Sequence, residues 1–475
     1  MLNQSTQKEA DSAKNAAQSA KTLYFLTWRW HFYAGLFVVP FMLMLSLTGL
    51  VMLFDDEIEF ARYGDVIEVT PQIAQVTPSV QLDAVQSAYP DASVTQFITA
   101  PSSTTANRFS VTKSNGETVL VTVDPYTGRV LGEIDRSESW YQLANDIHGT
   151  LLVGETGDFL IEMAASLTIL LLVSGIYMWL PTDRASAAGF LKVRLQNGSR
   201  TLLRDLHTNI GGVLSLVLLF FVLSGLAWAG IWGAKFVQPW NTFPAQKWDD
   251  VPLSSLTHKD LNHGSEEEMP WNLEQTPVPE SHDHSAMMES GEVFMDNIGI
   301  NAVVAKAEAM GFTHYRINFP RSETGVFTVS ANTMSGDISD PTQDRTSHVD
   351  QYSGELLADV TWQDYSLIAK AMAAGIALHQ GDISVANKAA NALICVLFIV
   401  ISVTGVLMWW MRRPSGVGKV GVPPRFERDA IWKTGAVTLV VIAIAFPLAG
   451  ISIIVAMLID WLLIRRVAKL RLALS

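Results

Sequence analysis

The chain has 475 residues, of which 49% are hydrophobic and 17% charged, and its formal net charge is −13. Soluble domains carry about 25% charged residues, so this composition, with a mean hydropathy of +0.23, argues against an ordinary soluble enzyme. The acidic balance argues against a nucleic-acid-binding protein, and the single cysteine excludes a disulfide framework and a cysteine-ligated zinc or iron–sulfur site.

Long apolar segments predict an integral membrane protein. A spanning helix needs about 20 apolar residues, and four segments reach this length: Trp30–Phe54, Phe159–Leu180, Ile210–Trp232 and Ala389–Met411. A fifth stretch, Ile431–Ile464, is apolar but interrupted by Pro447 and Gly450. It is consistent either with a hairpin of two short spans, which we favour, or with a re-entrant segment. No small-residue cleavage site follows the first span, so we expect it to be retained and the polar residues 1–22 to be disordered.

Lysine and arginine near the span ends predict the topology, because such residues concentrate on the cytoplasmic side. The expected order is a cytoplasmic tail (1–22), a first span (23–54), an outer domain (55–147), a second span (148–180), a cytoplasmic loop (181–203), a third span (204–232), an acidic insertion with histidine and methionine (233–290), a second outer domain (291–378), a fourth span (379–411), a cytoplasmic loop (412–430), a two-span hairpin (431–464) and a cytoplasmic tail (465–475).

The negative charge follows this topology. Segments 55–147 and 233–380 together hold 35 acidic and 13 basic residues, whereas the rest of the chain holds 11 acidic and 20 basic residues. The outer part therefore carries −22 and the remainder +9. We expect outer substrates to be neutral or cationic, unless a local basic patch with Arg316 and Arg321 receives an anion.

An internal duplication runs through the chain and pairs its motifs. The matching sequences are His31-Phe-Tyr-Ala-Gly35 with His207-Thr-Asn-Ile-Gly211, Leu47-Thr48-Gly49-Leu50 with Leu223-Ser224-Gly225-Leu226, Ser174-Gly175-Ile-Tyr-Met178-Trp179 with Thr404-Gly405-Val-Leu-Met408-Trp409, and Asp124-Pro-Tyr126-Thr-Gly128 with Asp350-Gln-Tyr352-Ser-Gly354. This pattern predicts a unit of helix, outer domain and helix that is used twice. The glycines are interpreted as helix-packing positions.

Each outer domain is predicted to be α+β. The first has a helix at Leu82–Tyr89, a strand at Thr118–Val123 and a turn at Asp124–Gly128. The second has a helix at Asn301–Met310 and strands at Arg316–Phe319 and Gly325–Ser330.

Four of the ten histidines occupy matched positions in the duplication: His31, His148, His207 and His379. Neutral imidazole is a common axial ligand of haem iron. In the predicted topology His31 and His207 lie near the cytoplasmic face, whereas His148 and His379 lie near the outer face. Because most of the bilayer separates the two pairs, they predict two bis-histidine haems and an electron path across the membrane.

Two further groups of residues have open interpretations. Arg29 and Arg204 precede His31 and His207 and either pair with haem propionates or anchor the helix ends. In the insertion, His282 and His284 stand close to several methionines, which indicates either a copper-type metal site or a solvated acidic linker.

The order and duplication of these motifs, with Leu378-His379-Gln-Gly381, resemble the PepSY-associated transmembrane-helix proteins over residues 25–465. That family includes iron-regulated inner-membrane proteins and ferrisiderophore reductases. The resemblance implies a helical bundle in the bacterial inner membrane, with a cytoplasmic N-terminus and two periplasmic PepSY-like domains. For reductase members it also implies haem b and reduction of a periplasmic ferric siderophore or other ferric chelate.

The electron donor is not evident, since the chain has no GxGxxG motif in a strand–helix context, and a quinol or a separate cytoplasmic reductase is expected. The alternative function is a non-redox PepSY scaffold, sensor or regulator of peptidases. A metal transporter is disfavoured, because Glu162 and Asp460 are the only acids well inside the spans.

Overall fold

The computed structural model describes residues 2–181, 187–240, 245–248, 250–263, 268–281, 297–414, 420–423, 433–464 and 466–467. The chain divides into two units. The first, here called the helical unit, comprises Met1–Leu50, Asp146–Phe236 and Ala392–Ser475. The second, here called the sheet unit, comprises Val51–Asn145 and Val237–Asn391. Residues 282–296, which include His282 and His284, lie outside the described part, so the predicted metal site there stays a prediction.

The main helices are α1 (Leu2–Leu53), α2 (Asp55–Ile67), α3 (Pro78–Ala88), α4 (Trp140–Thr150), α5 (Glu155–Trp179), α6 (Ser199–Val213), α7 (Ser215–Leu226), α8 (Gly299–Ala309), α9 (Leu367–Gln380), α10 (Val385–Arg412), α11 (Lys433–Ala445) and α12 (Pro447–Ile459).

Among the described residues, three helices are long and apolar enough to cross a membrane: the part of α1 from Leu23 to Leu53, α5 and α10. The predicted third span differs from a straight helix. It consists of α6 and α7, which are bent by 60° where the helix breaks at Leu214. Only the two helices together are long and apolar enough to cross a membrane. The described chain therefore has three candidate spans, or four if the bent pair is one span.

The C-terminal apolar stretch is also broken. Helices α11 and α12 have 13 residues each and meet at Phe446, directly before Pro447. Proline suits the first turn of a helix because it has no amide hydrogen to donate. At 1.5 Å per residue α11 is about 20 Å long, and α12 with its π-helical continuation to Leu463 is about 25 Å long, both shorter than a bilayer core of about 30 Å. Two full spans here remain a prediction.

Helix α1 includes residues 2–22. The expectation that the tail 1–22 is disordered stays a prediction.

The sheet unit is built on one eight-stranded sheet rather than on two separate domains. Its strands are β1 (Ser93–Ile98), β2 (Asn107–Thr112), β3 (Thr118–Val123), β4 (Val130–Ile134), β7 (Arg316–Asn318), β8 (Val326–Ala331), β9 (Arg345–Asp350) and β10 (Leu356–Thr361), whereas β5 (Leu253–Thr257) and β6 (Pro277–Pro279) form a separate two-stranded sheet. The order is β10-β9-β8-β7-β1-β2-β3-β4, and the antiparallel pair of β1 with β7 joins the two predicted outer domains.

One face of this sheet holds the apolar core. Phe97 and Phe109 from the first half and Ile317 from the second half belong to one buried cluster, with Val85 of α3 and Val303 of α8. Because side chains alternate between faces along a strand, the other face needs its own cover. Helix α2 provides it for the first half, where Ile67 packs with strand residues.

The insertion covers the corresponding face of the second half. Its buried Leu261, Met269 and Val278 pack with Val326 of β8, and Leu273 packs with Val360 of β10. Residues 253–263 and 268–281 of the insertion are therefore a folded cover, and the interpretation as a solvated linker is wrong for these described residues. Burial of these apolar side chains holds the segment on the sheet despite its acidic composition.

The two predicted turns have the same geometry. Tyr126 N donates to Asp124 Oδ1 at 2.9 Å, and Tyr352 N donates to Asp350 Oδ1 at 2.9 Å. Gly128 and Gly354 follow with φ of 70° and 71°, a conformation that glycine adopts without a steric penalty.

Candidate functional site

Two of the four predicted histidines meet inside the helical unit. His31 on α1 and His207 on α6 have ring centroids 6.3 Å apart and ring planes at 89°. The duplication placed them at equivalent positions, and the fold brings these positions together. We call this arrangement the inner histidine pair.

Each ring of the inner histidine pair is anchored through Nδ1. His31 Nδ1 lies 2.9 Å from Ser174 Oγ, and that hydroxyl donates its hydrogen to Leu170 O at 2.6 Å. Ser174 Oγ therefore accepts from His31 Nδ1–H. His207 Nδ1 donates to Ile401 O at 2.9 Å. Both rings thus carry their hydrogen on Nδ1. The unprotonated Nε2 of each ring keeps a lone pair that can bind a metal.

The glycine after each anchoring hydroxyl leaves room for the ring. A Cβ added to Gly175 would lie 3.3 Å from Cε1 of His31, and one added to Gly405 would lie 3.2 Å from Cε1 of His207. Thr404, directly before Gly405, has its hydroxyl 3.4 Å from His207 Nδ1. The interpretation of these glycines as helix-packing positions was incomplete, because the lack of a side chain at Gly175 and Gly405 also leaves space for the histidine rings.

The same motif accompanies His148 on α4. Its Nδ1 lies 2.9 Å from Thr48 Oγ1, which donates to Met44 O at 2.9 Å, so the threonine accepts from the imidazole. Sequence reasoning missed this use of the Ser/Thr-Gly pairs. The signal was available, since a hydroxyl precedes the glycine in every copy of the motif.

The donor chemistry of the inner histidine pair fits a haem iron. The two ring centroids are 6.3 Å apart, and the hydrogen bonds at Nδ1 leave one unprotonated Nε2 on each ring. Two neutral imidazoles from different helices are a donor set that haem iron accepts.

The second predicted pair is distributed over the two units. His148 belongs to the helical unit, and His379 lies near the C-terminal end of α9 in the sheet unit. The backbone around His379 is held by Asn391, whose amide donates to Leu378 O at 2.8 Å and to His379 O at 2.9 Å. The pairing of His148 with His379 stays a prediction.

The two arginines proposed for haem propionates have other contacts. Arg29 donates to the carbonyl of Pro423 and to Tyr33 Oη, the latter at 3.1 Å. Arg204 lies 3.3 Å from Asp205 Oδ1, and its side chain is 55% exposed. Both keep surface for a further partner, so their role as propionate partners stays a prediction.

A third arginine near the inner histidine pair was not singled out from the sequence. The guanidinium of Arg412 on α10 lies 4.6 Å from the ring centroid of Trp28 and 5.4 Å from that of Phe32, on either side of His31 in the sequence. Its buried Nε has no hydrogen-bond partner among the described residues. Arg412 is therefore a further candidate to bind a haem propionate beside His31.

Two buried side chains fix the helix that carries His207. Asp205 binds Arg194 through two bonds of 2.7 Å. Asn209 accepts from Trp179 Nε1 at 3.0 Å and donates to Gly189 O at 3.0 Å and to Lys192 O at 2.8 Å. Both residues stand two positions from His207, so the preceding loop is bonded to α6 on either side of this histidine.

In the sheet unit, the proposed basic patch at Arg316 and Arg321 is not formed. Arg316 is buried and lies 2.9 Å from Glu268 and 2.8 Å from Asp337. Burial alone would raise the pKa of Glu268, but the charge of Arg316 and the hydrogen bond from His263 lower it to about 2. Two carboxylates therefore neutralise Arg316. Only Arg321, which donates to Asp260 O, is exposed.

Comparison with known proteins identifies the family of the chain. Residues 28–412 match the family model described as PepSY-associated TM region, and the matched range contains His31, His148, His207 and His379. None of the curated proteins searched matches the chain. Because the family match covers well over half of the sequence, the chain belongs to the PepSY-associated TM region family.

Proposed function

We propose that the chain is a haem b protein that carries electrons across the bacterial inner membrane and reduces a ferric chelate on the outer side. The observation that carries the proposal is the inner histidine pair, with Nδ1 anchored on both rings and centroids 6.3 Å apart. Haem would supply the one-electron chemistry, which no protein side chain in this site offers.

The residues of the inner site would hold and tune such a group. His31 and His207 supply two neutral Nε2 ligands from different helices. The Nδ1–H bonds to Ser174 and Ile401 fix the ring orientation and increase the basicity of Nε2. Greater ligand basicity favours the ferric state, so these bonds would lower the reduction potential. Arg29, Arg204 and Arg412 are the candidate partners for the carboxylates.

A second haem is proposed between His148 and His379 on the basis of their matched positions in the duplication. The bond between His148 and Thr48 supports the proposal, because it repeats the bond between His31 and Ser174. Two haems at different depths would shorten each electron transfer step across a core of about 30 Å.

The substrate is proposed to be a neutral or cationic ferric siderophore or other ferric chelate. The predicted outer segments carry a net charge of −22, and the ion pairs of Arg316 remove one of the two cations that could attract an anion. Reduction would release iron because Fe(II) binds hard oxygen ligands less tightly than Fe(III). Electrons are expected from a quinol or from a separate cytoplasmic reductase, with the N-terminus of the chain in the cytoplasm.

The direct test is a reduced-minus-oxidised absorption spectrum of the purified protein with a haem-to-protein ratio. The proposal expects two haems in the natural chain and one in each of His31→Ala, His207→Ala and His148→Ala. His314→Ala is the matched control, because His314 lies in the sheet unit and bonds Thr99, and it should keep both. A purified protein without Soret and α bands would contradict the proposed electron transfer through haem. The alternative function as a non-redox scaffold would then be favoured.

The second test measures the reaction. Dithionite-reduced protein should be reoxidised by a ferric hydroxamate chelate, with Fe(II) captured by ferrozine in equal amount. Reduced protein that stays reduced with neutral, cationic and anionic chelates would contradict the proposed substrate class while leaving the haem proposal standing.

A further inference from the structure

The sheet unit contains an open cleft at the start of the helix that carries His148. Its volume is about 440 Å³, within the range of about 300–1,000 Å³ that small-molecule sites occupy. One wall comes from α2 and the other from the first turn of α4 and the residues before it. The lining consists of Arg62, Ser137, Glu138, Ser139, Trp140 and Leu143. All six belong to the predicted outer segment 55–147, where a ferric chelate would arrive.

The α2 wall presents a cation that is held in place. Arg62 Nη1 donates to Glu138 O at 2.9 Å, and Arg62 Nη2 lies 3.9 Å from Glu138 Oε2. The guanidinium also lies 5.0 Å from the ring centroid of Tyr63. A guanidinium has five N–H donors. These contacts therefore fix its position and leave donors that can reach the oxygen atoms of a ligand.

The opposite wall combines a carboxylate with an apolar face. The side chain of Glu138 is 72% exposed, so its carboxylate can accept a cationic group of a ligand. Trp140 and Leu143 are 58% and 43% exposed, and residues three apart are neighbours on one face of a helix. An exposed indole binds both apolar chains and cations. The cleft thus offers donors, one carboxylate and an apolar face side by side.

These groups suit a ferric trishydroxamate. The hydroxamate oxygens around its iron are acceptors for Arg62, and its methylene linkers can pack on Trp140 and Leu143. Such a complex is neutral or carries a single positive charge at a free amine, which Glu138 can bind. Ferric catecholate complexes carry several negative charges, which Glu138 and the acidic outer segments would repel.

The position of the cleft on α4 connects it to the proposed electron path. Trp140 and His148 are eight residues apart on one continuous helix, so about 12 Å of α4 separates them. We propose that this cleft binds the ferric trishydroxamate that the chain reduces. The electron is supplied by the proposed function, on which this inference rests, whereas binding of the chelate does not require it. The iron gains one electron and becomes Fe(II), the reduced protein loses that electron, and the iron–oxygen bonds to the chelate break as Fe(II) leaves.

The first test measures binding without electron transfer. Gallium(III) has the charge and nearly the size of Fe(III) but is not reduced under these conditions. The gallium complex of desferrioxamine B carries a single positive charge at its free amine, and the N-acetylated complex is neutral. Equilibrium dialysis against the full chain in detergent should show one site for both complexes. Trp140→Ala should weaken both by about 10-fold, whereas Trp140→Phe keeps an aromatic face and should retain most of the affinity.

The second test isolates the charge. The natural chain should bind the cationic complex about 2- to 5-fold more tightly than the neutral one, the range expected for an exposed ion pair. Glu138→Gln should remove this preference and leave binding of the neutral complex unchanged. Trp410→Ala and Glu355→Gln are the matched controls, because both side chains are exposed and lie outside the cleft, and they should keep the affinity and the preference.

Kinetics separate a failure of the cleft from a failure of the proposed function. In Trp140→Ala the chelate concentration for half-maximal reoxidation should rise about 10-fold. Haem content and reoxidation by hexaammineruthenium(III), a small oxidant that needs no binding site, should not change. A cooperative thermal transition identifies the variants that are folded.

Two results would overturn the cleft as the chelate site. The natural chain would fail to bind either gallium complex, or folded Trp140→Ala would bind both as tightly as the natural chain does, which would make Trp140 an anchor at the membrane surface. A chain that binds the gallium complexes through Trp140 but contains no haem would support the cleft and contradict the proposed function.

Discussion

An added methyl group at Gly405 or Gly175 tests the inner histidine pair at atomic scale. The Cβ of alanine at these positions would lie 3.2 Å from Cε1 of His207 and 3.3 Å from Cε1 of His31. Ordinary van der Waals contact begins near 3.4 Å. Each ring must therefore move by a few tenths of an ångström away from its anchored position.

The size of the effect follows from the rigidity of the ring. Turning a side chain away from its preferred rotamer costs about 0.5–1.5 kcal/mol, which corresponds to about a 2- to 12-fold loss of affinity for a bound group. We expect Gly405→Ala and Gly175→Ala to lose haem faster by a factor in this range, while the protein remains folded.

The assay is the rate of haem transfer from each purified variant to an excess of an apo-haemoprotein acceptor. Gly211→Ala is the matched control, because Gly211 lies on α6 with His207 and an added Cβ there meets nothing within 4 Å. Gly49→Ala should change little, since its Cβ would be 3.9 Å from the His148 ring. Equal rates in Gly211→Ala and Gly405→Ala would refute the steric argument.

Three further predictions concern the anchors, the charges and the buried imidazoles. Ser174→Ala leaves His31 Nδ1–H without its acceptor, which costs about 1–3 kcal/mol, so haem loss should be faster than from Ser174→Thr; equal rates would show that the bond is unimportant. Arg316→Met removes the cation shared by two buried carboxylates and should lower the free energy of unfolding by about 3–5 kcal/mol, whereas exposed Arg321→Met should change it by less than about 0.5 kcal/mol; urea unfolding that gives similar values for both would contradict the buried network. Burial lowers the pKa of His258 to about 4 and, with the charge of His258, that of His348 well below 6.5, so the stability they contribute is present above pH 6.5 and is lost as pH falls. The difference in unfolding free energy between the natural chain and the double variant His258→Gln/His348→Gln should therefore fall by up to about 2.7 kcal/mol per pH unit as the pH is lowered from 6.5 to 5, and a difference that is constant with pH would contradict their neutral burial.

Local patterns in the sequence predicted several elements close to their observed bounds. The strand at Thr118–Val123 is β3, and the helix predicted at Asn301–Met310 is α8, which runs from Gly299 to Ala309. Such elements depend on periodicity and turn residues that lie next to one another in the chain. The matched histidines were found in the same way, since a repeat can be read without knowledge of the contacts.

The features that the sequence did not predict depend on distant partners. Ser174 is 143 residues from His31, and the β1–β7 pairing that merges the two outer domains joins residues 222 apart, such as Gln96 and Asn318. Arg316 looked like a surface cation because Glu268 and Asp337 are recognisable as its partners only after folding. The bend at Leu214 is different, because it has a local signal that the prediction did not use: Gly211, Gly212 and Ser215 lie beside it, and glycine and serine are common at helix kinks.

Electron paramagnetic resonance of the oxidised protein tests the central proposal most directly, because it reports both axial ligands and their relative orientation. The ring planes of His31 and His207 at 89° predict a highly anisotropic low-spin ferric signal. The part of the low-spin signal that comes from this haem should disappear in His31→Ala and in His207→Ala, which keep only the haem proposed for His148 and His379, and the full signal should persist in the folded control His314→Ala. A natural chain without a low-spin haem signal, or a signal that keeps its full intensity in both inner variants, would contradict the assignment of His31 and His207 as the ligands of one haem.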